Sequence, residues 1–219
     1  MSESLQRCPL CGREVSFVFH QDGPRRYFLC DECLLVHLDR SYWPTPDEER
    51  QRYLLHRNHR AHDGYVQFLR RLADPVAERV TPGSRGLDFG CGPAPVLAEL
   101  MSERGHVMAS YDPLFHADRA VLDAQYDFIT CCEVLEHVHD PNELLGRMPA
   151  MLRDRGLLGV MTSLRREDQD FGTWRYRRDP THVCFYHDAT LEWIARQRGW
   201  ALERPAANVA LYTIPAVVP

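Results

Sequence analysis

The 219-residue sequence predicts an α/β fold: a mostly parallel sheet with helices on both faces, preceded by a small metal-binding module. Two observations predict this arrangement. From residue 86 onward, short apolar runs alternate with helix-favouring segments, which is typical of a parallel sheet covered by helices. Before residue 45, the chain instead has two Cys-x-x-Cys pairs and short β-like runs. We therefore expect a ribbon over residues 1–45, a helical connector over 46–82 and an α/β domain over 83–219.

The first part has the cysteine spacing of a zinc site. Two Cys-x-x-Cys pairs stand 18 residues apart, and they comprise Cys8, Cys11, Cys30 and Cys33. Four thiolates are the preferred ligands of structural zinc, and a hairpin would bring the two pairs together. Two β-like runs, 15–20 and 25–30, flank the turn signal Gln-Asp-Gly-Pro, so we expect a zinc ribbon. Because four thiolates leave no position for water, this zinc is expected to be structural and not catalytic. A redox role is the alternative for a single pair, and the second pair disfavours it.

The connector is charged and favours helices. Thr45 or Asp47 could cap its first helix, and apolar residues recur at roughly helical spacing over 53–72. We expect these helices to join the ribbon to the core.

The α/β domain then follows in order. Strands are expected over 86–90, 106–112, 126–133 and 157–163, and helices over 95–105, 141–156 and 187–200. Glycines at positions 105, 156 and 199 would end the three helices. Residues 201–206 and 208–214 could form a terminal antiparallel pair.

The turn after the first of these strands has the features of a nucleoside site. Gly90 permits a tight turn, and Gly92 would let a ligand approach the backbone closely. Asp112 ends the next strand, where such folds place an acid on the ribose hydroxyls. Pro95 stands where the dinucleotide fingerprint has its third glycine, which counts against NAD, and no P-loop sequence is present.

The ordered motifs LDFGCGP, SYDP, YDFITCCEVLEHV and DPTHVCFYHDATLEWIARQRGW resemble those of class I S-adenosylmethionine-dependent methyltransferases. The resemblance covers residues 83 to about 204. It implies a Rossmann-like seven-stranded sheet, with a strand near 120–123, and S-adenosylmethionine as methyl donor. The ribbon adds an architectural likeness to ribosomal RNA guanine-N1 methyltransferases, which also carry an N-terminal zinc module, and some sugar methyltransferases begin with one as well.

The resemblance also implies which residues form the site. Those expected near the donor are Asp88, Gly90, Cys91, Gly92, Asp112, Pro113, Cys132 and Glu133. His182 and His137 are candidate general bases, because imidazole titrates near neutral pH; a hydrogen-bonded structural histidine is the alternative for each. Residues 164–179 are expected to cover the substrate, with Trp174 and Tyr176 available for stacking.

The acceptor stays open between a small molecule, a protein and RNA. A net charge of -5, and a balance of nine acids and nine arginines over residues 1–60, argue mildly against broad nucleic-acid binding. The ribbon could still recruit RNA or protein, and a non-catalytic module that binds the donor, RNA or protein on the same fold is the alternative function. No apolar run approaches the ~18–20 residues of a membrane span, and no signal peptide is apparent, so we expect a cytoplasmic protein without a membrane partner.

Overall fold

A computed structural model describes residues 5–55 and 58–216 of the chain. Five short strands come first: β1 (Gln6–Arg7), β2 (Glu14–Val15), β3 (Val18–Asp22), β4 (Arg25–Leu29) and β5 (Val36–Leu38). β3 and β4 pair antiparallel around the expected turn, and β5 pairs with β4. The predicted β-ribbon is therefore confirmed.

Two helices follow, α1 (Pro46–Tyr53) and α2 (Asp63–Ala77). Thr45 caps α1 as predicted: its hydroxyl accepts a hydrogen bond from the Glu48 N–H, and the Glu48 carboxylate accepts one from the Thr45 N–H. α2 is amphipathic, and its buried face includes Val66, Leu69 and Leu72, which pack on the main sheet.

The main sheet has six strands in the order β11-β12-β9-β8-β6-β7. The strands are β6 (Arg85–Phe89), β7 (Val107–Tyr111), β8 (Tyr126–Cys132), β9 (Leu152–Met161), β11 (Ala201–Ala206) and β12 (Val209–Thr213). β6 to β9 are parallel, and β12 pairs antiparallel with both β9 and β11. The predicted α/β fold is confirmed, including the terminal antiparallel pair.

Helices cover both faces of this sheet. α2 and α3 (Val96–Ser102) lie on one face, while α4 (Pro141–Met151) and α5 (Asp188–Arg198) lie on the other. Two hydrophobic clusters result, one on each side of the central strands. No helix in the described part of the chain is both long and apolar enough to span a bilayer.

Within the described residues, the main sheet has six strands, whereas the resemblance implies seven. Residues 120–123, where a strand was expected, lie instead in a 3-10 helix, Arg119–Asp123. The Asp118 carboxylate accepts a hydrogen bond from the Ala120 N–H and caps this turn. The capped turn takes up the short connection between β7 and β8, so β7 forms one edge of the sheet.

The fourth helix ends earlier than predicted. We expected a helix over 141–156, but α4 ends at Met151 and β9 begins at Leu152. Leu152 pairs with Tyr126 of β8, and this pairing draws the chain into the sheet. Tertiary pairing therefore overrides the local helix preference of residues 152–155.

The ribbon and the α/β domain share a sheet. β10 (Cys184–Phe185) pairs antiparallel with β5, giving a four-stranded sheet in the order β10-β5-β4-β3. The Leu38 N–H also donates to the Val183 carbonyl oxygen at 2.9 Å. A strand that follows the loop 164–183 therefore completes the sheet that the first 38 residues begin.

Strand order fixes where a ligand can bind. The chain passes from β6 to β7 on one side and then returns to β8 on the other side of β6. Loops leaving adjacent strands in opposite directions open a crevice at the carboxyl ends of those strands. The glycine turn after β6 and the residues after β8 both lie at that crevice.

Candidate active site

The turn after β6 depends on glycine. Gly90 has φ 74° and Gly92 has φ 65°, in the left-handed region that favours glycine. A β-carbon built on Gly90 would lie 2.5 Å from Val134 Cγ2, so a side chain there would also clash with the loop after β8. The Gly90 N–H donates to the Tyr111 carbonyl oxygen at 2.7 Å, which ties the turn to the end of β7.

Asp112 is held by backbone donors. Its Oδ2 accepts a hydrogen bond from the Gly92 N–H at 2.9 Å. Its Oδ1 accepts from the Leu114 N–H at 2.8 Å and from the Phe115 N–H at 3.2 Å. These three bonds fix the carboxylate beside the glycine turn, and Pro113 continues the same wall of the cavity.

Asp88 lies elsewhere. Its side chain is buried beneath the turn and is not among the residues that line the cavity. The Thr130 hydroxyl donates to Asp88 Oδ1 at 3.1 Å, and the Ala98 N–H of α3 donates to the same carboxyl group. Burial raises the pKa of Asp88 to about 7. The Asp88 carboxyl group therefore joins the end of β6 to β8 and α3 behind the turn.

The residues after β8 form the opposite wall. Glu133 has φ 52°, a conformation that is strained for a residue with a side chain and that recurs at functional sites. Burial, followed by the nearby Glu136 charge, raises the pKa of Glu133 to about 9. Burial also raises the pKa values of the Cys91 and Cys132 thiols, so both thiols are protonated at neutral pH and are poor nucleophiles.

These walls enclose a cavity of about 640 Å³. Nine of the ten non-metal residues predicted from the sequence line it: Gly90, Cys91, Gly92, Asp112, Pro113, Cys132, Glu133, His137 and His182. The fold therefore brings together residues that are up to 92 positions apart in the sequence. Asp88 is the exception.

Sequence reasoning missed several lining residues. Glu49 and Tyr53 come from α1, Tyr65 and Phe68 come from α2, and Glu136 follows β8. Nothing in the charged connector indicated that its helices cover the cavity. Glu136 stood inside a quoted motif, but only the tertiary structure shows that its side chain is fully buried.

A cluster of three titratable residues lies at one end of the cavity: Glu136, His137 and His182. His137 Nε2 lies 4.0 Å from Glu136 Oε1, and the two imidazole rings have centroids 4.6 Å apart. Burial lowers the pKa of His137 to about 4, so this imidazole is neutral at pH 7. We call these residues the Glu-His-His cluster.

The segment 164–179 contributes two lining residues, Tyr176 and Asp179, and several packing contacts. The Tyr176 hydroxyl lies 3.0 Å from Thr162 Oγ1, whereas Trp174 stacks on Tyr176 and packs on Phe185. Arg177, which the sequence did not single out, is buried and donates to the Asp22 carboxylate of the ribbon at 2.9 Å. The segment therefore joins the ribbon to the cavity.

The four ribbon cysteines form a cluster as predicted. Cys8 Sγ lies 3.5 Å from Cys33 Sγ, and Cys11 Sγ lies 3.4 Å from Cys30 Sγ. All four sulfurs lie within 4.8 Å of one another, and none is in a disulfide. Tetrahedral zinc with bonds of about 2.3 Å holds its sulfurs about 3.8 Å apart, so the arrangement fits zinc.

Comparison with known proteins supports the fold and the motifs. The family described as methyltransferase domain matches residues 55–204, which is most of the chain. The chain belongs to this methyltransferase family. The match includes the glycine turn, Asp112 and the Glu-His-His cluster, and it leaves the cysteine cluster outside.

Curated relatives within the family are distant. The Ubiquinone biosynthesis O-methyltransferase of Rhodopseudomonas palustris is 30% identical over 132 residues, covering 48% of this chain and 52% of the relative. That of Histophilus somni is 28% identical over 132 residues, covering 48% of this chain and 53% of the relative. The chain thus spans about half the length of these relatives.

Solved structures share the fold of this methyltransferase chain. The 1,6-didemethyltoxoflavin-N1-methyltransferase of Burkholderia thailandensis, with bound 1,6-didemethyltoxoflavin and S-adenosylhomocysteine, is 15% identical with a TM-score of 0.56. The match covers 90% of this chain and 99% of that one. The PH0226 protein of Pyrococcus horikoshii is 10% identical with a TM-score of 0.51, covering 75% and 98%.

Proposed function

We propose that this protein transfers a methyl group from S-adenosylmethionine to a hydroxyl oxygen of a small molecule. One observation carries the proposal: a single cavity runs from the glycine turn and Asp112 to the Glu-His-His cluster. The first end suits a nucleoside, and the second end suits an acceptor that must lose a proton.

Hydrogen bonds within the protein orient the donor end. Three backbone N–H groups orient the Asp112 carboxylate, and Oδ2, which accepts only one of them, keeps a lone pair for a ribose hydroxyl. The left-handed turn at Gly90 and Gly92 keeps side chains away from the space beside it. A structure of the same fold was solved with S-adenosylhomocysteine, which supports the same class of donor here.

The chemistry requires mainly positioning. S-adenosylmethionine supplies a methyl group on a sulfonium, which leaves as a neutral thioether. The acceptor oxygen bonds to the methyl carbon while the carbon–sulfur bond breaks and sulfur keeps the electron pair. The hydroxyl proton must go elsewhere, and the His137 and His182 imidazoles are the groups that can take it or weaken its bond.

An oxygen acceptor is favoured over an exocyclic amine of adenine. Adenine-amine methylation is typical of an Asn-Pro-Pro-Tyr or Asp-Pro-Pro-Tyr sequence after the fourth strand, whereas this chain has Cys-Cys-Glu-Val-Leu-Glu-His there. The curated relatives are named as O-methyltransferases, which points the same way.

The ribbon is proposed to hold structural zinc and to support the acceptor end. β5 of the ribbon pairs with β10, and the Val183 N–H donates to the Glu136 carbonyl oxygen at 2.8 Å. Two backbone links thus connect the ribbon to residues of the Glu-His-His cluster. A zinc-stapled ribbon would keep that cluster in place, whether or not it also recruits RNA or protein.

The test measures donor binding and turnover on zinc-loaded protein. Calorimetry with S-adenosylhomocysteine should show one site per chain, and Asp112→Asn should weaken it at least tenfold because Asn accepts fewer of the three N–H bonds. Methyl-labelled S-adenosylmethionine, offered with phenolic and catecholic compounds, amines and RNA, should label a hydroxyl compound.

Each other outcome has a definite meaning. No binding of S-adenosylhomocysteine by folded protein would refute the proposal entirely. Label in RNA or in an amine would refute the oxygen acceptor and leave the donor assignment intact. Binding without turnover on a broad panel would favour the non-catalytic donor-binding module.

A further inference from the structure

The Glu-His-His cluster has a ligand-like arrangement that proton transfer alone does not require. One oxygen of Glu136 and one nitrogen each of His137 and His182 lie within 4.8 Å of one another at the cavity wall. Three ligands held by one cation at about 2.1 Å lie roughly 3–4 Å apart, so only a small closure is needed.

Hydrogen bonds fix the tautomer of both imidazoles. His137 Nδ1 lies 3.1 Å from the Thr181 carbonyl oxygen, and His182 Nδ1 lies 2.7 Å from the Tyr176 carbonyl oxygen. A carbonyl oxygen only accepts, so each Nδ1 carries the hydrogen and each Nε2 carries the lone pair. Metal-binding histidines characteristically donate their second ring N–H to a carbonyl or carboxylate in this way.

The Glu136 carboxyl group is oriented in the same manner. Its Oε2 accepts a hydrogen bond from the Thr162 hydroxyl at 2.9 Å. Its Oε1 is buried and has no hydrogen-bond partner among the described residues. Since the side chain has no solvent exposure, this oxygen lacks compensation that a buried acceptor normally has.

We propose that Glu136, His137 and His182 bind a divalent transition-metal cation at the acceptor end of the cavity. Two imidazoles and one carboxylate suit divalent cations such as Mn²⁺, Fe²⁺ and Zn²⁺. Positions on the cation not taken by protein would face the cavity. This site is separate from the four-cysteine cluster, whose soft thiolates select zinc.

The role of the cation rests on the proposed function. A hydroxyl oxygen bound to it would give up its proton to water more readily, because the positive charge stabilises the alkoxide or phenolate. The two imidazoles would then act as ligands and not as proton acceptors. If the cation assists ionisation, removal of the metal should abolish methyl transfer. If a histidine takes the proton directly, removal of the metal should leave methyl transfer undiminished.

Binding of Mn²⁺ provides the direct test. Mn²⁺ prefers nitrogen and oxygen ligands, so it reports on this cluster while zinc stays on the cysteines. Electron paramagnetic resonance titration of the zinc-loaded full chain should show one tight Mn²⁺ per chain. Glu136→Gln and His182→Ala should each weaken it at least tenfold.

A matched variant makes the test specific. His139→Ala removes another imidazole from the same cavity but outside the cluster, and it should bind Mn²⁺ like the wild type. Calorimetry with S-adenosylhomocysteine, run on every variant, should give the wild-type affinity and thereby show that the donor end is folded.

The proposal is wrong if wild-type protein with intact donor binding takes up neither Mn²⁺ nor Zn²⁺ beyond the cysteine site. It is equally wrong if the Glu136 and His182 variants bind Mn²⁺ as tightly as His139→Ala. Undiminished methyl transfer after removal of all cluster metal would refute the role of the cation and leave the proposed function standing. If the wild-type protein bound Mn²⁺ at the cluster but not S-adenosylhomocysteine, the proposed function would be refuted and the cation site would stand.

Discussion

At the scale of single residues, Gly90 is the most constrained position of the donor end. It combines a left-handed backbone with close contact to Val134. Gly90→Ala should therefore lower the free energy of unfolding by at least about 1–2 kcal/mol and weaken S-adenosylhomocysteine binding. Urea unfolding and calorimetry measure the two effects.

Gly146 provides the control for that substitution. It lies inside α4, and its nearest neighbour would be the flexible end of Arg198, 3.7 Å from an added β-carbon. Gly146→Ala should raise the free energy of unfolding by up to about 1 kcal/mol and leave donor binding unchanged. Equal effects of the two substitutions would contradict the role assigned to the turn.

The buried Asp88 carboxyl group should make the stability of the protein depend on pH. Its pKa is about 7 in the folded protein and 3.8 in ordinary surroundings, because burial favours the neutral form. The contribution of neutral Asp88 to the free energy of unfolding is thus fully present below about pH 4 and is lost as the pH rises through 7. Relative to Asp88→Asn, the wild type should lose about 1–4 kcal/mol of unfolding free energy between pH 4 and 8.

Urea unfolding of both proteins at several pH values measures this difference. The subtraction removes groups that titrate alike in the two proteins. A difference that stays constant with pH would show that Asp88 is charged in the folded state.

At the scale of elements, the ribbon makes a prediction about the distant acceptor end. Cys33 is fully buried in the cysteine cluster, and β5 begins three residues later at Val36. Cys33→Ser should lower the free energy of unfolding by at least about 2 kcal/mol, since metal binding contributes to folding. It should raise the KM of the acceptor more than the Kd of S-adenosylhomocysteine, because β5 holds β10 and not the glycine turn.

Cys91→Ser is the matched control, since Cys91 lies outside the metal cluster. It should leave the zinc content and the melting temperature unchanged. If Cys33→Ser weakened donor and acceptor binding equally, the ribbon would not act selectively on the acceptor end.

Individual elements were predictable where a local signal was strong. The cap at Thr45 and the hairpin of β3 and β4 follow from side-chain and turn chemistry within a few residues. Residues 152–155 were predicted wrongly as helix because Leu152 pairs with Tyr126 of β8. Residues 120–123, where the resemblance implies a strand, lie instead in the 3-10 helix that Asp118 caps.

At the scale of the whole molecule, donor binding should stabilise the fold. A ligand that binds only the native state at 100 times its Kd adds about 2.7 kcal/mol to the unfolding free energy. S-adenosylhomocysteine should therefore raise the melting temperature, whereas NADH at equal concentration should not. Differential scanning calorimetry measures this. An equal rise in melting temperature with NADH would contradict the assignment and favour a dinucleotide-binding site.

The sequence by itself determined the α/β class, the cysteine cluster and ten candidate site residues outside it, nine of which line the cavity. The class and the cysteine cluster rest on periodicity and spacing, which act over short stretches of chain, whereas most of the site residues rest on the resemblance to class I methyltransferases. Tertiary structure alone decided that Asp88 is buried, that α1 and α2 cover the cavity, and that β10 belongs to the ribbon sheet. It also brought Glu136, His137 and His182 together. His137 and His182 are 45 positions apart in the sequence, and they meet because Val183 is hydrogen-bonded both to Leu38 of β5 and to Glu136 after β8.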